Sequence, residues 1–274
     1  MRYLRIFAVM VLVLSLLFAG WVNSRYYSSL NTDYPEITNS AEVLEISVKD
    51  PPEAIYRELT ARDATDGDLT DQIMVASISH FLEPGLVRVK YVVFDSHNNS
   101  ATLIRKVRYT DYKAPEFSLE KAPVYTVGNS FDLLDHIRVE DLLDGDISDR
   151  VRVISNMVNN YSVGNYPVVL EASNSCGDTA QVTIWVTFES KKSTAIVTLH
   201  RYILYVEQGD TFQPQQWLAT VTDRNATPLD MEKVEIQGNL DVNTPGCYQL
   251  VYSYQDGSLS GQAPLTVIVT ERQG

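Results

Sequence analysis

Apolar and polar residues alternate in short runs along most of this chain, the pattern of half-buried β-strands. The run from Leu86 to Phe94 is the clearest, with Val87, Val89, Tyr91 and Val93 on one face. Similar runs predict strands near Val43–Val48, Tyr56–Ala61, Ile73–Ile78 and Leu103–Tyr109. They recur at Glu116–Leu119, Tyr125–Val127, Ile137–Val139, Val151–Ile154, Tyr166–Ala172 and Gln181–Phe188. The last part of the chain offers Tyr202–Glu207, Trp217–Thr222, Val234–Gln237, Tyr248–Tyr254 and Leu265–Thr270. Turn-forming clusters separate the runs, and beyond residue 22 helical periodicity is confined to possible single turns near Phe131–His136 and Phe212–Leu218. The pattern predicts an all-β chain of short-stranded sandwiches.

The exception is the start. Ile6 to Val22 contains no charged residue, and Arg2 and Arg5 precede it. A basic stub before an apolar run is an export signal, and its length lies at the short edge of a spanning helix. The expectation is a signal-anchor helix with the remainder of the chain outside the cytoplasm, at the cell surface. The alternative is a secreted protein cleaved after Ser24.

A second periodicity lies above the strands. Asp63-Ala64-Thr65-Asp66-Gly67-Asp68-Leu69-Thr70-Asp71 returns as Asp141-Leu142-Leu143-Asp144-Gly145-Asp146-Ile147-Ser148-Asp149. Gly85, Gly164 and Gly246 repeat at nearly the same interval, each before a strand-like run. A fixed period of this size marks a tandem array. The expected organisation is a cytoplasmic stub and transmembrane helix at 1–24, a linker at 25–41, and three sandwich domains at 42–112, 113–190 and 191–274. The third is divergent: its loop, Asp223 to Asp230, lacks the Asp-Gly-Asp centre.

Composition narrows the function. Of 274 residues, 45% are hydrophobic and 21% charged, as in a globular protein. A net charge of −13 would repel nucleic-acid phosphates, so no nucleic acid is expected. Two cysteines exclude a disulfide scaffold. Nucleophile-elbow, P-loop and dinucleotide-binding motifs are absent, and an enzyme is not expected. The histidines (His80, His97, His136 and His200) lack metal-ligand spacing.

Lys113-Ala114-Pro115-Glu116-Phe117, then Tyr125-Thr126-Val127-Gly128-Asn129-Ser130-Phe131, the acidic loop at Asp141, and Val163-Gly164-Asn165-Tyr166 form an ordered series. With Asp95-x-x-Asn98-Asn99-x-Ala101, this series resembles the immunoglobulin-like domains carried in tandem by bacterial surface proteins. That group is named for the Cry22Aa pesticidal crystal protein and is related to DUF5011 and HYR modules. The resemblance covers roughly residues 42–271. It implies three immunoglobulin-like sandwiches used for spacing or adhesion, and no single biochemical activity.

In such a sandwich each acidic loop shares one end of the domain with the loop joining the last two strands. Asp63, Asp66, Asp68 and Asp95 would then gather in the first domain, and Asp141, Asp144, Asp146 and Asp178 in the second. Calcium takes six to eight oxygens from such groups, so both sets are candidate calcium ligands. The competing reading takes precedence: Asp-Gly makes a tight turn, and the remaining aspartates satisfy loop amides. With domains strung in a line, Cys176 and Cys247 would stand too far apart to pair, and no intrachain disulfide is expected. The function expected is a non-enzymatic surface module that binds or spaces protein or glycan. Its candidate aromatics are Trp217 and Tyr205, unless these belong to the core. The alternative is a structural subunit of an envelope or secretion assembly.

Overall fold

The computed structural model describes residues 2–29, 33–190 and 193–272, with side chains of the N-terminal helix described over 10–24. That helix runs Arg2–Ser29. Met10, Leu12, Leu14, Leu16, Leu17, Phe18 and Trp21 are all more than half exposed. Among the described residues no helix is long and apolar enough to cross a membrane. The structure therefore does not support the expected transmembrane span, whose first residues lie outside the described side chains.

After the helix the chain is all β, as its alternation predicts. Six sheets form three pairs with a recurring order. The first pair joins Glu36–Asn39, Leu59–Asp63 and Gly67–Asp68 in one sheet, and Val43–Ile46, Ser100–Tyr109, Leu86–Phe94 and Met74–Ile78 in the other. The second joins Gly145–Asp146, Ile137–Asp141 and Glu116–Leu119, then Arg152–Asn156, Gly164–Ser173, Thr179–Glu189 and Val124–Thr126. The third joins Ala195–Leu199 with Leu218–Asp223, then Ile203–Glu207, Leu259–Thr270, Gly246–Asp256 and Val234–Gly238.

Besides the two-residue strands Gly67–Asp68 and Gly145–Asp146 of the acidic loops, two strands escape the sequence pattern. Glu36–Asn39 lies inside the expected linker, yet pairs antiparallel with Leu59–Asp63. Its four residues bury only Ile37 fully, too short a run to show a period. Ala195–Leu199 alternates cleanly in burial and pairs with Leu218–Asp223. Between Glu116–Leu119 and Val124–Thr126 the chain changes sheets. Pro123, which lacks an amide proton, sits at this crossing, and its carbonyl accepts from Thr187 N at 2.9 Å. Val124–Thr126 then runs parallel to the end of Thr179–Glu189.

By compactness the chain divides into two units. The first comprises 1–46, 50–79 and 88–108, and the second 47–49, 80–87 and 109–274. The first unit buries Leu44, Leu59, Ala61, Val89, Tyr91, Val93 and Val107. It also holds Arg105, 2% exposed. That guanidinium donates to the carbonyls of Arg57 and Ile55 at 2.8 and 2.9 Å and lies 5.5 Å from the centre of the Tyr91 ring. It thereby satisfies the end of the short helical turn Pro52–Tyr56.

The second unit has one continuous core running from Phe117 through Ile184 and Phe188 to Leu265 and Val267. The expected second and third domains are therefore packed together rather than strung in a line. Tyr205 Oη accepts from Phe117 N at 2.7 Å, and Gln262 donates to Glu189 at 2.8 Å. Cys247 Sγ contacts the Thr183 carbonyl at 3.2 Å. Gly261 is needed here, because a Cβ would stand 2.0 Å from the Ala195 carbonyl oxygen.

Candidate functional site

Both acidic loops follow a strand whose last residue is aspartate, Asp63 or Asp141, each nearly buried. Asp63 Oδ1 accepts from the amides of Thr65 and Asp66, both at 2.8 Å. Asp141 Oδ1 accepts from Leu143 and Asp144, both at 2.9 Å. Gly67 and Gly145 turn the chain at φ +79° and +72°, where a side chain would be strained. Asp68 accepts from Thr70 N and Asp146 from Ser148 N. The next residues, Leu69 and Ile147, are 4% and 0% exposed and plug the core. The following hydroxyls, of Thr70 and Ser148, accept from the strand amides of Ala61 and Val139. Turn chemistry thus uses nearly every position of the repeated motif.

The remaining aspartate reaches the facing loop. Asp66 accepts from Ser96 N and Oγ at 2.8 and 2.9 Å. Asp144 accepts from Ser175 N and Oγ at 2.8 and 2.7 Å. Each facing loop is itself closed by one side chain. Asp95 Oδ1 accepts from His97 N and Asn99 N, and Asn174 Oδ1 from Cys176 N and Asp178 N. Asp95 and Asn174 therefore hold equivalent positions.

From here the loops diverge. In the second, Asn174 Nδ2 donates to Asp141 Oδ2 at 3.2 Å and to Tyr112 Oη at 2.9 Å. Tyr112 in turn donates to Asp178 at 2.5 Å, and Arg150 donates to Asp144 at 2.5 Å. Burial, then the Asp178 carboxylate, push the Tyr112 phenol far above its usual range, so it remains a donor. Burial opposes ionisation of Asp144, yet Ser175 and Arg150 hold it below the usual carboxylate range. In the first loop, Asp95 replaces the amide. Asp66, Asp95 and His97 bring ligand atoms within 4.8 Å of one another. Asp63 Oδ2 is buried without a hydrogen-bond partner. His97 was outside the sequence-derived set because it has no metal-ligand spacing; only the fold sets it beside the carboxylates.

The sequence-derived residues thus separate. Asp66 and Asp95 come together, while Asp68 and Asp146 serve their own turns. Asp141 and Asp178 are joined only through Asn174 and Tyr112, and Asp144 is held by Ser175 and Arg150.

Elsewhere in unit two, Arg152–Asn156 is an edge strand, hydrogen-bonded within its sheet only to Gly164–Ser173. Ile154, Met157, Tyr161 and Val163, on this strand and the following loop, are 52%, 69%, 80% and 63% exposed. Trp217 and Tyr205 instead pack against the core. A groove of about 590 Å³ is lined by Lys49, Asp111, Lys113, Glu116 and Asp146 among others, with no serine, cysteine or histidine. Burial pushes both thiols up, and Asp144 and Asp141 add to this at Cys176. Both cysteines are free. Cys247 lies beside Thr183, roughly 13 Å along the strand from Thr179 at 3.3 Å per residue. Position along one strand, rather than the length of a linear array, separates it from the loop of Cys176.

Residues 202–269 match the family model described as bacterial surface protein, Ig-like domain. The match falls on the repeat that lacks the Asp-Gly-Asp centre. The pesticidal crystal protein Cry22Aa of Bacillus thuringiensis is 28% identical over 138 residues. That alignment covers 49% of this chain and 18% of Cry22Aa, so the chain spans less than a fifth of that relative's length. One similar solved structure holds the M60 catalytic domain with CBM51-1 and CBM51-2 from Clostridium perfringens ZmpB. Its identity is 14%, covering 89% of this chain and 31% of that one, with a TM-score of 0.25. Drosophila N-cadherin EC1-3 is 10% identical, covering 85% and 98%, with a TM-score of 0.30. Superpositions this loose carry no argument about function.

Proposed function

We propose that this chain is a non-enzymatic module anchored in a membrane by its N-terminal helix, with immunoglobulin-like domains at 42–112, 113–190 and 191–274 displayed outside the cytoplasm. It binds a protein or glycan of the cell surface through the apolar strip Ile154, Met157, Tyr161 and Val163. The exposure of that strip is the observation that carries the reading, because exposed contiguous apolar surface marks interaction sites and Tyr and Met are enriched there. The uncharged run Ile6–Val22 behind Arg2 and Arg5 in the sequence supports the anchor.

Assembly of copies through the Arg152–Asn156 edge is the second reading. A bulge between Val153 and Ser155 weakens it, since bulges bend an edge away from strand addition.

Binding of the purified full chain to arrayed glycans and isolated envelope proteins tests the proposal. A Met157→Ser, Tyr161→Ser double variant should lose at least tenfold in affinity, at about 1.4 kcal/mol per decade, with unchanged thermal unfolding. Unchanged binding would sink the strip as the site. Concentration-dependent self-association of the wild type in sedimentation velocity, abolished by the same variant, would favour the structural-subunit reading. Partition of the full chain into membranes, lost on removal of residues 2–24, tests the anchor.

A further inference from the structure

We propose that the first acidic loop, and not the second, is a binding site for a hard divalent cation such as calcium, formed by Asp63, Asp66 and Asp95. The two loops share a turn geometry, so their differences isolate what the turn does not need. Asp141 Oδ2 points at residue 174, whose amide answers it at 3.2 Å. The corresponding pair in the first loop is Asp63 and Asp95, 7% and 6% exposed. In the shared turn geometry Asp63 Oδ2 takes the place of Asp141 Oδ2, on the side of residue 95, and it is buried without a hydrogen-bond partner. Asp95 is already an anion held by three donors: His97 N, Asn99 N and Asn99 Nδ2 at 2.7 Å.

Buried carboxylates gathered at one loop repel unless a positive charge lies among them. The second loop supplies its own neutralising groups, Asn174 against Asp141 and Arg150 against Asp144. The corresponding residues of the first loop are Asp95 and Gln72, neither of which brings a cation. Tyr112, which closes the second loop, has Tyr34 as its counterpart, and Tyr34 is 68% exposed. The first loop is left anionic and open. Its donors are oxygens with His97 at the margin, the set that suits a hard ion better than a thiophilic one.

Calorimetric titration of the chelator-treated full chain with calcium tests this. The expected result is one calcium per chain, with a dissociation constant of about 10⁻⁴–10⁻³ M as in extracellular modules, and a rise in the unfolding midpoint of several degrees. Asp95→Asn recreates the second loop's amide. It should abolish binding while raising the midpoint in chelator, because Asp63 Oδ2 then gains a donor. Asp146→Asn, in the second loop, should leave one calcium bound. No calcium heat from the wild type, two ions per chain, or binding that survives Asp95→Asn would overturn the proposal. So would zinc binding tighter than calcium and lost on His97→Ala.

Discussion

Single residues of the repeated motif carry separable tasks, and the repeat conceals that they differ between copies. Two of the landmark glycines, Gly85 and Gly246, illustrate this. Gly85 sits at φ +74°, and a Cβ there would meet the Tyr109 carbonyl oxygen at 2.9 Å and Tyr112 Cβ at 3.1 Å. Gly246 has no positive φ and only ordinary contacts. Gly85→Ala should therefore cost about 1–3 kcal/mol in chemical denaturation, and Gly246→Ala much less. Tyr112 is the second residue-scale test. Removing its hydroxyl leaves Asn174 Nδ2 with Asp141 alone and takes the donor from Asp178 Oδ2, so Tyr112→Phe should destabilise by about 1–3 kcal/mol. Equilibrium urea unfolding measures both. An unchanged midpoint for Tyr112→Phe would mean that solvent already serves those groups.

At the scale of elements, the strands owe their position to alternation and the loops to carboxylates accepting amides. Asp146 is held below the usual carboxylate range first by the Ser148 hydroxyl, Asp241 by that of Thr244, and Asp223 by the Thr227 amide. A folded value below the unfolded one adds stability above the unfolded value near 4, and that stability is lost as pH falls through the folded value. The unfolding midpoint should hold steady from about pH 7 to 5 and drop steeply below 4. Scanning calorimetry across pH checks this, and a midpoint that rises in acid would refute it. Arg105 plays the corresponding part for the turn Pro52–Tyr56. Arg105→Met should cost about 1–3 kcal/mol, because it leaves the carbonyl of Arg57 without its side-chain donor. The bulge at Val153–Ser155 also appears between Val75 and Ser77, the same register in the earlier repeat. No alternation rule foretells a bulge, since it breaks the period that such a rule reads.

For the molecule as a whole, the consequence is cooperativity within unit two. Ile184 and Val267, both 0% exposed, belong to one core though they lie in different repeats. Ile184→Ala, at about 2–4 kcal/mol, and Val267→Ala, at about 1–3, should lower the same calorimetric transition. Displacement of two different transitions would show independent domains instead. The sequence by itself determined the all-β character, the threefold recurrence and the chemistry of the acidic turns. Each rests on local rules: a two-residue side-chain period, Asp-Gly turn geometry and amides needing acceptors. It did not show Glu36–Asn39, whose run is too short to carry a period. Tertiary structure alone decided that the last two repeats share a core, because docking depends on which faces meet. It alone also set His97 beside Asp66 and Asp95, since His97 and Asp66 lie about 30 residues apart and meet only when two loops close one end of a sandwich.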